Sequence, residues 1–185
     1  MENRKYLSGL HGAFSVICIV LYTVSFIRMI INGVVAIGLT SIVLNMVALT
    51  VGLIYLLKGY KKEAANYYKA FMWILVVAEL FEAVARISSF VNARPFEIFA
   101  CILPFAFFLL LAGAKDYGKK ASFILSIALL LSMILQIIPA VAFLKNTRSM
   151  ITYVVIDFIG QFVIAGITVI MVCEKYLDKA ARGAK

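Results

Sequence analysis

The sequence predicts an all-α integral membrane protein of six transmembrane helices joined by short loops. Of its 185 residues, 64% are hydrophobic and 15% charged, and the mean hydropathy is +1.04. Soluble domains hold about 45–50% apolar and about 25% charged residues. No charged side chain occurs from Met29 to Leu57 or from Ala121 to Leu144, and either run can cross a hydrocarbon core of about 30 Å. Period-two alternation is absent, which argues against a β-barrel. No polar stretch is long enough to build a soluble domain, so residues 1–185 are expected to form a single membrane domain.

Apolar runs bounded by charges or turn residues set the spans at about 8–31, 33–57, 64–91, 95–114, 119–144 and 149–173. Arg4 and Lys5 precede an apolar run, as in a signal peptide. That run outlasts an h-region of about 7–15 residues and no A-x-A-like site follows, so an uncleaved first span is expected. Asn32-Gly33 reads as a tight turn. Pro95 fits a helix start with Glu97 in its first turn, and Pro104 predicts a kink inside the fourth span. Ser8/Gly12 and Gly9/Ala13 are small pairs four apart that permit close helix contact. The tail from Glu174 to Lys185 is expected to be a frayed basic end rather than an amphipathic helix.

Orientation follows from the basic residues. Thirteen of the eighteen lie at the N-terminus, in the even-numbered loops or in the tail; Arg28, Arg86, Arg94, Lys145 and Arg148 lie on the other side. This bias places both termini in the cytoplasm of a cell (plasma or inner) membrane protein. Tyr6, Tyr60, Tyr67, Tyr68, Tyr117 and Tyr176 fall at the predicted inner boundary, where amphipathic rings anchor. The cytoplasmic ends Lys58-Gly-Tyr-Lys-Lys62, Lys115-Asp-Tyr-Gly-Lys-Lys120 and Lys175-Tyr-Leu-Asp-Lys179 each close one helical hairpin. The chain can therefore be read as three tandem hairpins, although interface chemistry alone also gathers Lys and Tyr there. The formal net charge of +9 is explained by topology, and no nucleic-acid partner is expected.

The third span carries the unusual chemistry. Glu79, Glu82 and Arg86 are spaced i, i+3, i+7 and so project from one helical face. Charge at membrane depth is costly and normally faces a protein interior or a watery cavity. Glu79 lies about 15 Å above Lys69, and Asp157 about 12 Å below the outer start of the sixth span, by the helical rise. Gln161 follows Asp157 on the same face, and Gln136 and Asn45 also fall in the middle or outer half. Glu79, Glu82, Arg86, Asp157, Gln161, Gln136 and Asn45 are therefore the candidate ligand-binding or proton-coupling residues. Three carboxylates against one arginine leave an acidic surplus, to be offset by protonation or by a cationic ligand.

The leading expectation is a protein that binds or transports a polar, cationic small solute through an outward-facing pocket. The alternative is a non-transporting scaffold, sensor or accessory subunit whose charged stripe contacts a partner helix or membrane subunit. No cofactor, metal or enzymatic activity is expected. Glu82-x-x-x-Arg86 resembles the Glu-Glu-x-x-x-Arg motif of intramembrane CAAX-type proteases. However, Phe81 replaces the first Glu, and His11, the only histidine, reads as an interfacial or packing residue. Cys18, Cys101 and Cys173 occur singly and read as packing residues. Size, six spans and inside termini are similar to those of membrane-embedded substrate-binding subunits of vitamin transporters, but the Ala-x-x-x-Ala face of that family's first span is missing.

Overall fold

The computed structural model describes residues 2–31, 33, 36–58, 64–89, 94–113, 118–138, 140–141 and 151–183. They form six long helices: α1 (Glu2–Ile31), α2 (Ala36–Lys58), α3 (Ala64–Ser89), α4 (Pro95–Gly113), α5 (Gly118–Leu135) and α6 (Ile151–Gly183). Each packs on its neighbours in sequence, and α6 packs back on α1, so the helices close into a ring. Both chain ends meet on one side of it: His11, early in α1, touches Glu174, late in α6. The loop residues 59–63, 90–93, 114–117 and 142–150, with Tyr60 and Tyr117, lie outside the described residues.

Five segments are long and apolar enough to span a bilayer: Tyr6–Ile31, Leu39–Leu57, Pro95–Gly113, Gly118–Leu135 and Val155–Tyr176. The segment outside that set is α3, whose sequence carries Lys69, Glu79, Glu82 and Arg86. The surface is inverted relative to a soluble protein. Val16, Ile17, Val20, Ile124, Leu131 and Ile159 are exposed, whereas Glu79, Glu82, Asp157 and Glu174 are buried. Soluble monomers seldom expose such contiguous apolar area, so the outer face is suited to lipid. Inside, α1 buries residues 11, 15, 18, 22, 25 and 29, the alternating four-and-three spacing of a coiled-coil seam. Of these, Cys18, Tyr22 and Met29 pack into one core with Leu49, Phe71, Leu75, Ile164 and Met171. Helix hydroxyls away from the seam bond back to their own turn, as Thr23 Oγ1 does to the Ile19 carbonyl at 2.7 Å and Ser88 Oγ to that of Val84 at 2.7 Å. This local bonding satisfies polar groups that lipid cannot.

Two boundaries follow expectation, at Gly33 and at Pro95, and others differ. Gly33 adopts φ +65 and donates its N–H to the Ile30 carbonyl at 3.2 Å, the left-handed close expected of a tight turn. Helix α4 starts at Pro95, with the Arg94 N–H donated to Glu97 Oε2 at 2.9 Å, half of a capping box. Helix α5 is interrupted after Leu135 by a turn at Gln136, and residues 137–138 and 140–141 are again helical, with the Ala140 N–H donated to the Gln136 carbonyl at 3.1 Å; the rest of the expected span to 144 lies outside the described residues. The Gln136 N–H bonds to Met133, three residues back, at 3.2 Å, so the last turn tightens. Conversely, α6 runs unbroken to Gly183, so the backbone of the tail is helical and not frayed to that point. Of the small pairs on α1, a Cβ at Gly12 would meet Leu56 of α2 at 3.5 Å, whereas one at Gly9 would meet nothing. Tyr6 is exposed as an anchoring ring would be, but Tyr68 and Tyr176 are buried. The Tyr176 hydroxyl bonds to Ser122 at 2.8 Å, and the Lys175 ammonium sits 4.8 Å from the Tyr68 ring centroid.

Candidate functional site

Arg86 is the node of the site. Its Nε donates to Glu82 Oε1 at 2.8 Å, one turn back on α3. One terminal nitrogen donates to Asp157 Oδ2 on α6 at 2.6 Å, and the other to Gln136 Oε1 beyond α5 at 2.5 Å. Helices α3 and α6 occupy opposite positions in the ring, so the long guanidinium side chain spans its interior. A planar fork suits this task, because it directs several N–H groups to separate acceptors at once.

Gln136 extends the node to α4 by donating its Nε2 to the carbonyl of Ala100. The primary sequence explains why that carbonyl is available. In an α-helix it would accept from the N–H of residue 104, and residue 104 is proline, inside α4 and buried. Proline has no N–H, so the Ala100 carbonyl lacks its helical donor and Gln136 supplies one. The tightened turn at Gln136 places its amide between Arg86 and Ala100. One side chain thus joins α3, α4 and α5 while Asp157 brings in α6.

Burial is graded along the cluster. Arg86 retains 19% of its side-chain exposure and Asp157 5%, whereas Glu79, a further two turns along α3, is 3% exposed. The site is therefore most open at the Arg86 end. Glu79 lies within electrostatic reach of Glu82, Arg86 and Asp157. Among the described residues, Glu79 Oε1, Glu82 Oε2 and Asp157 Oδ1 are buried without a hydrogen-bond partner. Both side-chain amide atoms of Gln161 and of Asn45 are likewise unpartnered. Of the seven residues expected from sequence, Arg86, Glu82, Asp157 and Gln136 are joined by direct bonds, and Glu79 joins them electrostatically. Gln161 and Asn45 are buried, and among the described residues no bond ties them to the cluster.

Tyr22 and Gly160 are not in that expected set. Tyr22 is wholly buried, its hydroxyl has no partner among the described residues, and it lies within electrostatic reach of Asp157, Glu79 and Glu82. Its ring rests on Gly160, where an added Cβ would lie 2.7 Å from Tyr22 Cζ. Cys18, one turn before Tyr22, donates to the Gly160 carbonyl at 3.5 Å. The signal was the spacing of Tyr22 with the buried seam of α1; its aromatic character hid it among apolar neighbours. At the ring's other end, His11 is fully buried, the packing alternative of the two expected for it. Its Nδ1 lies 3.4 Å from Glu174 Oε2, and Ser8 Oγ donates to Glu174 Oε1 at 3.5 Å. Cys18 and Cys101 are buried and all three cysteines are free, in keeping with packing roles.

Chemically, the cluster can hold a positive charge or a proton against three carboxylates, with the guanidinium fixing two of them. Among the described residues no group of three His, Cys, Asp or Glu side chains could hold a metal ion. Compared with family models, curated proteins and solved structures, the chain matches none of them.

Proposed function

We propose that the chain crosses the membrane six times, with α3 as the sixth crossing and both termini cytoplasmic. In this reading it binds or transports a polar, cationic small solute at a site open to the outside, and it is not an enzyme. The observation that carries this reading is the buried acidic surplus: Glu79, Glu82 and Asp157 against Arg86, with one carboxylate oxygen of each unpartnered. Unpaired charge is strongly disfavoured at membrane depth, and residues that retain it there usually serve an ion or substrate path. Arg86, the most exposed member, marks the side of access. That side is opposite the ends where the two termini meet, which is the outside if the positive-inside bias holds.

The alternative, a scaffold, sensor or accessory subunit whose stripe contacts a partner helix, is less well supported, because Glu79 and Glu82 turn into the chain's own ring. The test is uptake of radiolabelled tetraethylammonium and of small primary amines by proteoliposomes of the wild type and of a Glu82→Gln, Asp157→Asn double variant. The variant is expected to fold and to lose uptake. Full uptake by a folded double variant would overturn the reading. Native mass spectrometry that finds a second protein chain and no small molecule would favour the alternative.

A further inference from the structure

The α1 seam carries polar groups that the solute site does not use. His11, Ser15, Cys18, Tyr22 and Ser25 are all buried on one face. Among the described residues, His11 Nε2, Ser15 Oγ, Tyr22 OH and Ser25 Oγ have no hydrogen-bond partner. Buried polar atoms are normally bonded to protein or to ordered water. Four of them in line on one helix therefore mark a polar column rather than a sealed apolar seam. Its ends are built. At one end His11 faces Glu174 through Nδ1 and turns Nε2 toward Gly52, where an added Cβ would lie 3.4 Å away. At the other, Tyr22 sits on Gly160, three residues from Asp157, within electrostatic reach of Asp157, Glu79 and Glu82.

We infer that this column is a proton route along the α1–α6 seam, joining the His11–Glu174 pair to the carboxylates around Arg86. From His11 to Tyr22 the path is about 16 Å by the helical rise, in steps of about 4.5–6 Å between Ser15, Cys18 and their neighbours. Such steps are too long for a direct O–H···O bond of about 2.7 Å and suit one bridging water each. A proton arriving at His11 Nε2 forms an N–H bond there as the Nδ1 proton passes to Glu174 Oε2. In the reverse sense Glu174 returns it. Each hydroxyl along the column, and the Cys18 thiol between Ser15 and Tyr22, which turns from the Gly160 carbonyl to pass its proton on, gives up one proton as it receives another, and the last proton rests on Asp157 Oδ1 or Glu79 Oε1. No oxidant or other reactant is consumed. Among the described residues, Glu174 of α6 is the titratable group that bonds to His11, and Gly52 of α2 lies against its other ring nitrogen. The Lys175 ammonium lies over the Tyr68 and Tyr176 rings.

The test contains no organic solute, so its result is independent of the solute reading. Purified protein is placed in phospholipid vesicles with trapped pyranine, valinomycin and potassium clamp the potential, and the outside is acidified. Wild-type vesicles are expected to lose the pH gradient faster than protein-free vesicles. Tyr22→Phe keeps the ring on Gly160 but removes the hydroxyl. It should cut the protein-dependent rate by about tenfold, the rate equivalent of one lost hydrogen bond in the path. His11→Gln keeps a polar contact for Glu174 but cannot exchange protons, and should cut the rate similarly. Thr50→Ala, an exposed hydroxyl bonded to its own helix at Met46, should leave it unchanged. A wild type no faster than bare lipid, or folded Tyr22→Phe and His11→Gln variants at the wild-type rate, would overturn the inference. If Tyr22→Phe does not elute as a folded species, His11→Gln alone decides.

Discussion

The bond from Gln136 to the Ala100 carbonyl offers a test of how a proline on one helix recruits a side chain from another. Gln136→Met keeps the volume but removes both amide functions. Arg86 then loses one acceptor, a charge-assisted bond worth about 1.5–3 kcal/mol, and the Ala100 carbonyl loses its donor at about 1–3 kcal/mol. The expected loss of stability is about 3–5 kcal/mol, summing those two contributions near their centres. Pro104→Ala restores an N–H at position 104 and gives the carbonyl its own helical donor. In that background Gln136→Met should cost less by about 1–3 kcal/mol, because only the Arg86 bond is then lost. The assay is a double-mutant cycle of SDS- or heat-induced unfolding in detergent for the wild type, both single variants and the double variant. The cycle cancels whatever Pro104→Ala does to the course of α4 by itself. A coupling below about 0.5 kcal/mol, the level at which unrelated sites add, would refute the pairing of Gln136 with the carbonyl that Pro104 frees.

The remaining predictions concern charge, close packing and capping. Arg86→Met alone should destabilise by about 3–5 kcal/mol, the usual cost of removing one partner from a buried ion pair. Adding Glu82→Gln and Asp157→Asn should recover most of that loss in the same unfolding assay, and no recovery would mean that the carboxylates are not what Arg86 neutralises. Gly160→Ala places a methyl 2.7 Å from Tyr22 Cζ and should cost about 1–3 kcal/mol by overpacking. By contrast, Gly9→Ala meets nothing within 4 Å and should be neutral or stabilising by up to about 1 kcal/mol through helix propensity. Equal melting temperatures for the two alanine variants would contradict the seating of Tyr22 on Gly160. Glu97→Ala removes the acceptor for the Arg94 N–H at the start of α4 and should cost about 0.5–2 kcal/mol, the range for lost helix caps. An unchanged unfolding midpoint would show that this cap contributes nothing.

The helices were legible in the sequence because lipid imposes a one-dimensional rule. A segment must be apolar over a set length, and each charge or turn residue ends it. The same rule made Glu79, Glu82, Arg86 and Asp157 conspicuous, since charge inside such a segment is rare and costly. Helical spacing also showed that the α3 charges share a face. The interruption of α5 was less legible, because the run from Ala121 to Leu144 is uncharged throughout and hydropathy does not register a tightened turn at Gln136. The tail was misjudged for a related reason. Its basic composition suits a frayed end, yet α6 continues helically to Gly183 without a break.

From the sequence alone come helices long and apolar enough to cross a membrane, with acidic residues set inside α3 and α6. Periodicity and hydropathy are properties of single segments and need no knowledge of neighbours. Only the tertiary structure decided that the six helices close into a ring and that Arg86 reaches across it to Asp157. Only there does the lone carbonyl freed by Pro104 meet Gln136, and only there does Tyr22 come to rest on Gly160 among the carboxylates. Each of these depends on which helix lies opposite which, and no period within one helix encodes that.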